Sequence, residues 1–382
     1  MPRRILILTA SVGGGHGRAA AALEEAFGFA SPDALVRRVD VLELTNAPFR
    51  RIYGKAYFDL FRFSPHLIGY LYDVLDRPRR GKGARVGERL GAMVERANLR
   101  KVSSLLLDES WDLVVHTHFL PAAIVSFLRR KGSLSVPHAI AVTDFDVHRL
   151  WINQPCERFF TATEESAAAL GSMGVPTGNI EPAGIPVSPM FAREKGRAAC
   201  RAKFGLPLDR PVILQMAGGF GVGPVETVFR SLLSIEKPLA LVAVTGSDAR
   251  VRESLSKIAV PDRHTANVLG FTKEIDELME AADLLVSKPG GLTSSEALVK
   301  GLPMVIVNPI PGQESRNSDF LLEAGAAVKA NNLPVLGMKV EALLRDPDRM
   351  ARMRESARRA ARPQAASRIA ESCLKLLLGG RS

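Results

Sequence analysis

The sequence has few cysteines and no long apolar run. Its three cysteines, Cys156, Cys200 and Cys373, are odd in number and widely spaced. This pattern argues against a disulfide framework and against a zinc site, and it fits a reducing compartment such as the cytoplasm. No run of eighteen apolar residues occurs, so no membrane-spanning helix is predicted. The apolar stretch at residues 5–10 is too short for a secretory signal.

The composition is that of a folded protein with an excess of positive charge. The chain has 382 residues, of which 46% are apolar, and this indicates a well-folded protein of about two domains. Its formal net charge is +11 at pH 7. Such a charge favours an anionic partner. Composition alone leaves nucleic acid, a phosphorylated substrate and an acidic membrane surface open.

The amino terminus predicts a strand, a glycine-rich loop and a helix. Residues 4–9 (RILILT) are mainly apolar, residues 11–17 have the sequence SVGGGHG, and residues 18–27 have a helical composition. No Lys-Ser/Thr pair follows the loop, so it is not a Walker A phosphate loop. His16 lies at the start of the helix, where the positive helix end disfavours an imidazolium ion. One hypothesis is therefore a neutral His16 that acts as a base, and the other is a solvent-facing loop histidine.

Polar residues also follow two further predicted strands. Residues 112–116 lead to His118, and residues 139–143 lead to a segment with Asp144 and His148. Because the carboxyl ends of parallel strands meet at one edge of a doubly wound sheet, we expect a common cleft there. Each of these residues, taken singly, has a structural explanation as well.

Residues 49–101 combine an aromatic stripe with many cations. Phe49, Tyr53, Tyr57 and Phe61 recur at intervals of four, which places them on one face of a predicted helix. The cations beyond them are Arg77, Arg79, Arg80, Lys82, Arg85, Arg89, Arg96, Arg100 and Lys101. This combination favours a membrane-interface element. The alternative is a buried aromatic stripe beside a solvated charge run.

The second half repeats the order of strand, glycine loop and helix. Predicted strands over 211–216 and 239–245 lead to a glycine-rich loop and to Gly246, respectively. Together with the first half, this order predicts an α/β fold of two Rossmann-like domains that face each other across a cleft. The predicted bounds are 1–185, 186–350 and a helical tail at 351–382, with a proline-rich linker at 181–189.

The stretch from residue 283 to residue 317 carries the clearest ligand signal. A predicted strand over 283–287 ends at Pro289-Gly290-Gly291, and a helix is predicted over 292–300. A strand over 304–308 then leads to a polar loop containing Gln313, Glu314 and Asn317. Glycine amides at a helix start suit a diphosphate. The alternative is a capping box in which Thr293 is the cap and Glu296 reaches back to it.

Four motifs together resemble a known family. They are SVGGGHG at 11–17, Thr143-Asp144 with His148 and Trp151, GGFGVG at 218–223, and KPGGLTSSEA at 288–297. They are similar to the monogalactosyldiacylglycerol synthase and processive diacylglycerol glucosyltransferase group. This group belongs to glycosyltransferase family 28, with the peptidoglycan lipid-intermediate N-acetylglucosaminyltransferase, and the resemblance covers about residues 4 to 340.

The resemblance implies a GT-B fold and an inverting transfer of a hexose from a UDP-sugar to a lipid hydroxyl, with no bound metal or cofactor. The first domain would contact the acceptor and the membrane, the second would bind the nucleotide-sugar, and the carboxyl-terminal helices would return to the first domain. The enzyme would lie peripherally on the cytoplasmic face of an anionic membrane. Diacylglycerol or a similar lipid would be the acceptor.

The resemblance also implies roles for individual residues. Glu296 would hold the ribose, Phe271 would lie against the uracil, and His16 or Asp144 would be the base. The donor diphosphate and sugar would contact Gly218, Gly219, Gly246, Gly290, Gly291, Leu292, Thr293, Gln313, Glu314 and Asn317. The acceptor and membrane contacts would be Gly14, Gly15, His118, His148, Phe49, Tyr53, Tyr57, Phe61, Arg79 and Arg80.

Two other functions fit parts of the same pattern. A soluble UDP-sugar epimerase of GT-B fold would share the nucleotide site without a membrane-contact region. A non-catalytic protein that binds nucleotide-sugar or lipid would share both sites without turnover. Nucleic-acid binding is not predicted, because the basic residues form no recognisable module.

Overall fold

The computed structural model describes residues 2–11, 13–46, 76, 100–217 and 223–379, which form two α/β units. The first unit comprises Met1–Pro189, Pro311–Gln313 and Gln364–Ser382, and the second comprises Met190–Ile310 and Glu314–Pro363. The α-helices of the described residues are α1 (Gly14–Ala30), α2 (Arg100–Leu107), α3 (Phe119–Arg130), α4 (Glu164–Ser172), α5 (Arg197–Lys203), α6 (Val225–Leu233), α7 (Ala249–Ser256), α8 (Ile275–Ala281), α9 (Gly291–Val299), α10 (Gln313–Glu323), α11 (Leu336–Leu344), α12 (Pro347–Ala360) and α13 (Ala365–Gly379).

The described residues of the first unit form a parallel sheet of six strands in the order β2-β1-β3-β4-β5-β6. The strands are β1 (Arg4–Thr9), β2 (Leu35–Asp40), β3 (Leu113–His116), β4 (His138–Ala141), β5 (Arg158–Thr161) and β6 (Ile180–Pro182). The predicted linker at 181–189 is therefore wrong at its start, because residues 180–182 form the last strand. Proline has no backbone N–H group to donate. It is tolerated there because β6 is an edge strand, which pairs with a neighbouring strand on one side alone.

The core of the first unit lies on both faces of its sheet. Ile5 and Ile7 of β1 pack with Phe27 of α1, whereas the alternate residues Leu6 and Leu8 pack in a second cluster with α2 and α3. A strand that buries both faces has to be apolar at every position, and this explains the continuous apolar run at the amino terminus.

The predicted tail at 351–382 divides between the two units. Helix α13 packs against α1, and its Ile369 and Cys373 are fully buried in the core that contains Ile5. Helix α12 instead buries Met350 and Met353 in the core of the second unit. The chain therefore leaves the second unit after Pro363.

In the second unit, too, the part of the chain that the structure describes forms a parallel sheet of six strands, in the order β12-β11-β10-β7-β8-β9. The strands are β7 (Val212–Met216), β8 (Ala240–Val244), β9 (Thr265–Leu269), β10 (Leu284–Ser287), β11 (Met304–Val307) and β12 (Ala327–Ala330). Ile213, Leu241, Val286 and Val305 share one core with helices α6 and α11.

Each sheet has a point at which the strand order reverses. In the first sheet β2 and β3 lie on opposite sides of β1, and in the second sheet β8 and β10 lie on opposite sides of β7. A crevice opens at such a point outside the carboxyl ends of the strands, and ligands of open α/β sheets bind there. The α/β prediction of two Rossmann-like domains is thus confirmed. Within the part of the chain that the structure describes, no helix combines the length and the apolar character that a membrane span requires.

Candidate active site and donor site

Three loops of the first unit meet around the ring of His16. Helix α1 begins at Gly14, after Gly13 with a φ of 103°, a left-handed conformation that favours glycine. This places His16 in the first turn of the helix. The atom Nδ1 of His16 lies 2.9 Å from the Thr117 carbonyl oxygen and 2.9 Å from Oγ1 of Thr143. Because Thr117 and Thr143 follow β3 and β4, the sheet brings together residues distant in sequence.

The contacts of Nδ1 fix the tautomer of His16. A carbonyl oxygen can only accept a hydrogen bond, so the contact with Thr117 requires a hydrogen on Nδ1. In the neutral ring Nε2 is then the nitrogen that can accept a proton. The Thr117 hydroxyl donates in return to the His16 carbonyl at 3.0 Å. The ring is therefore oriented by its own strand-end neighbours.

Desolvation of the partly buried ring keeps His16 neutral. It lowers the pKa of His16 from 6.5 to about 4, and the hydrogen bond to the Thr117 carbonyl opposes this change only in part. The positive end of α1 acts in the same direction as burial. At neutral pH the imidazole is thus uncharged and can accept a proton, as a general base must.

His118 packs edge-on against His16. The two ring centroids are 4.6 Å apart with an interplanar angle of 80°. Nδ1 of His118 accepts a hydrogen bond from the Leu120 amide at 3.0 Å and so caps α3. Burial and, second, the nearby His16 hold the pKa of His118 well below its usual value. Trp151 and Phe119 complete this aromatic wall, 6.0 Å apart between ring centroids.

Asp144 and His148 lie in the loop after β4. Both side chains are buried. Nδ1 of His148 accepts from the Leu150 amide at 3.1 Å at the start of a short 3-10 helix, Arg149–Trp151, and Nε2 lies 3.9 Å from a carboxylate oxygen of Asp76. His148 thus has a capping role, like His118. The predicted acceptor residues Gly14 and Gly15 form the first turn of α1 beside His16.

In the second unit, helix α9 begins directly at the glycine pair. Gly290 is its N-cap, Gly291 its first residue, and no side chain caps it. The capping-box interpretation is therefore wrong, because Thr293 lies inside the first turn instead of at the cap. The amides of this turn have no partners within the helix, and a diphosphate is a suitable acceptor for them. Glu296, one turn further, is 3% exposed.

Lys288 belongs to the same crevice; it is the first residue of the motif at 288–297, but the sequence assigned it no role. It follows β10, yet its side chain reaches the loop after β7, because a Cβ on Gly223 would lie 3.3 Å from Cε and 3.6 Å from Nζ of Lys288. Among the described residues none forms an ion pair with this ammonium group. The signal that could have found it is a lysine directly before the Pro-Gly-Gly turn.

The remaining predicted donor residues lie on three elements. Gly246 follows β8 with a φ of 70°, and Phe271 follows β9 with 74% of its surface exposed. Gln313 and Glu314 open helix α10, on which Asn317 is buried. The polar loop predicted here is thus a helix. Its start is stabilised by the Glu314 carboxylate, which accepts from the Ile310 amide at 2.7 Å.

Several predicted residues lie outside the described residues. They are Gly218, Gly219, Phe49, Tyr53, Tyr57, Phe61, Arg79 and Arg80. Within the described ranges, no group of three or more His, Cys, Asp or Glu side chains is arranged to hold a metal ion.

Two family models match this chain in succession. Residues 16–187 match the model of monogalactosyldiacylglycerol (MGDG) synthase, and residues 197–360 match that of glycosyl transferases group 1. This chain is a glycosyltransferase. The first match begins at His16 and covers the loops that surround it, and the second covers the crevice at α9.

A search of known proteins gives the same result. The glycosyltransferase is 28% identical over 381 residues to a processive diacylglycerol beta-glucosyltransferase of Bacillus mycoides (strain KBAB4), covering 97% of this chain and 93% of the relative. The resemblance found in the motifs is thereby confirmed.

Solved structures share the GT-B fold of the glycosyltransferase. MurG of Acinetobacter baumannii is 17% identical with a TM-score of 0.57, covering 98% of this chain and 100% of that one. A UDP-GlcNAc 2-epimerase of Neisseria meningitidis bound to UDP-GlcNAc is 15% identical with a TM-score of 0.58, at 98% and 100% coverage. The fold alone therefore does not separate transferases from epimerases, whereas the family models do.

Proposed function

We propose that this glycosyltransferase moves a hexose from a UDP-sugar to the hydroxyl group of a lipid, with diacylglycerol as the first candidate acceptor. The family models and the relative's name, processive diacylglycerol beta-glucosyltransferase, support the substrate classes. The structural observation that carries the proposal is the neutral imidazole of His16, which holds its hydrogen on Nδ1 and leaves Nε2 as a base.

The reaction is a displacement at the anomeric carbon of the donor. The acceptor oxygen forms a bond to this carbon while the bond from the carbon to the diphosphate oxygen breaks, so that the configuration at the anomeric carbon is inverted. Nε2 of His16 takes the hydroxyl proton, and UDP leaves with the electron pair. Asp144, whose side chain is buried and whose carboxylate accepts a hydrogen bond from the Gln313 amide group, is the alternative base.

The donor occupies the crevice of the second unit. The amides at Gly290, Gly291 and Thr293 and the ammonium of Lys288 bind the diphosphate, whose negative charge grows as the bond to the sugar breaks. Glu296 holds the ribose hydroxyls. The aromatic ring of Phe271 is exposed and available to the uracil. The sugar contacts the start of α10 at Gln313 and Glu314.

The enzyme works at an anionic membrane surface, on its cytoplasmic face. The support is the formal net charge of +11 and the aromatic and basic residues between positions 49 and 101. A flotation experiment with phosphatidylglycerol-containing vesicles tests this part. Binding that is no stronger than to neutral phosphatidylcholine vesicles would contradict it.

A product assay tests the transfer itself. The full chain is incubated with UDP-glucose, UDP-galactose and UDP-GlcNAc and with diacylglycerol in vesicles, and the extracted lipids are analysed by mass spectrometry. We expect a hexosyl lipid and free UDP, and only traces of either with His16→Ala. Interconversion of UDP-sugars without lipid would identify an epimerase. Donor binding without any product would identify a binding protein, and either outcome rejects the proposal.

A further inference from the structure

The hydroxyl group of Thr143 is the second oxygen on the ring of His16. Thr143 is 3% exposed and follows β4, two strands away from β1 in the sheet. Its Oγ1 lies 2.9 Å from Nδ1 of His16, as close as the Thr117 carbonyl oxygen. One nitrogen therefore faces two oxygens that come from two different strand ends.

The hydrogen on Nδ1 is shared between these two oxygens. The Thr117 carbonyl has no hydrogen to give, so Nδ1 is the donor, and Oγ1 of Thr143 accepts from the same N–H group. When Nε2 takes a proton, the ring becomes a cation and Nδ1–H becomes a stronger donor. Both contacts then become charge-assisted hydrogen bonds, which are about twice as strong as neutral ones. The two hydrogen bonds thus orient the neutral ring before proton transfer and stabilise the protonated ring after it.

We infer that Thr143 is a positioning residue of the transferase, which orients the His16 ring and stabilises its protonated form through Oγ1. The inference rests on the proposed function, since it gives His16 the role of base. Desolvation lowers the pKa of His16 to about 4, so the protonated ring is unfavourable in this site. A nearby oxygen that accepts from Nδ1 opposes this effect. Nδ1 of His118 cannot accept a hydrogen bond from His16 in place of Thr143, because it already accepts one from the Leu120 amide.

The variant Thr143→Val tests the inference, because it keeps the branched shape and removes the hydroxyl. We expect kcat to fall about tenfold or more, as for a lost hydrogen bond to a charged group, with the donor KM within about twofold. Thr143→Ser restores the oxygen and should recover most of the rate. The matched control is Thr161→Val at the end of β5, where the lost hydroxyl donates to the Thr163 carbonyl at 3.0 Å.

A double-mutant cycle separates positioning from a general structural role. If Thr143 acts only through His16, His16→Ala and His16→Ala/Thr143→Val turn over at the same residual rate. Equal rates of Thr143→Val and wild type, or a further tenfold loss in the double variant, would overturn the inference. Failure of Thr143→Ser to recover activity in a folded protein would do the same. A wild-type protein without transfer to any lipid would instead overturn the proposed function, and this inference with it.

Discussion

The crevices of the two units have the same topology and opposite chemistry. Each lies where the order of a parallel sheet reverses, after β1 and β3 in one unit and after β7 and β10 in the other. The first crevice is lined with uncharged histidines, the partly buried His16 and the buried His118, and with aromatic rings. The second presents glycines, a helix start and a lysine without an ion-pair partner among the described residues. Under the proposed function, one arrangement of strands serves proton transfer in one unit and anion binding in the other.

The difference arises from the residues directly after the strand. After β1 the glycines place an imidazole in the first turn of α1, where burial and the helix end keep it neutral. After β10 the glycines themselves occupy the cap and first position of α9, so backbone amides are accessible to a ligand. The residue at the helix start therefore decides whether the crevice offers a base or an anion site.

Removal of the imidazole should have the largest effect and should affect only the first crevice. We expect His16→Ala to lower kcat at least about a hundredfold, the size typical of a lost general base. The Kd of UDP, measured by isothermal titration calorimetry, should stay within twofold. A large loss of UDP affinity would show that the two crevices are not chemically separate. His264→Ala is the control, because that buried histidine directly precedes β9, at the amino end of a strand and therefore at the edge of its sheet opposite to the crevice of the second unit.

The pH dependence of stability should identify the same histidine. The native pKa of His16 is about 4 and its unfolded value is 6.5, so the unfolded chain binds the extra proton between these values. The contribution of His16 to the free energy of unfolding is therefore fully present above pH 6.5 and is lost as the pH falls toward 4. Between pH 7 and pH 5 His16 should account for up to about 2 kcal/mol of this loss. Urea unfolding of His16→Ala should show a smaller loss over this range, and an equal loss in both proteins would contradict the assignment.

Removal of the lysine charge should affect only the second crevice. We expect Lys288→Ala to weaken UDP binding about tenfold, since it removes a charge-assisted contact with phosphate, and to leave uridine binding unchanged. Lys257→Ala, which removes an exposed lysine paired with Glu253, is the control. Equal losses for UDP and uridine would mean that Lys288 supports the fold of the crevice instead of the diphosphate.

Removal of the aromatic ring of Phe271 should have the smallest effect. Unlike Lys288→Ala, it should weaken the binding of UDP and of uridine alike. Phe271 is 74% exposed, so Phe271→Ala should leave the free energy of unfolding nearly unchanged. If the ring covers the base, UDP and uridine should both bind a few times more weakly, because stacking does not depend on the phosphates. A loss for UDP alone would place the ring elsewhere. Leu208→Ala, at another exposed apolar residue of this unit, is the control.

Local patterns predicted the structure correctly where a strand, its turn and its helix follow one another directly in the sequence. The apolar runs of β1, β7 and β10 and the glycines after them predicted strands, turns and helices, because the burial of both faces of a parallel strand leaves a continuous apolar sequence. The same patterns left the cap of α9 open between the glycines and Thr293, and they misassigned the helix at Gln313 as a polar loop. Thr293-Ser-Ser-Glu296 also matches a capping box, and only the backbone shows that Gly290 is the cap.

The sequence by itself determined that this protein is a two-domain α/β glycosyltransferase with a histidine in one glycine loop and a helix start after another. Only the tertiary structure decided the state of that histidine. Its tautomer depends on Thr117 and Thr143, which lie 101 and 127 positions further along the chain and approach it through the order of the sheet. The reach of Lys288 to the loop at Gly223 depends in the same way on the pairing of β10 with β7. Side chains that meet across neighbouring strands leave no periodic signal in a sequence, because their spacing is set by the intervening helices and loops.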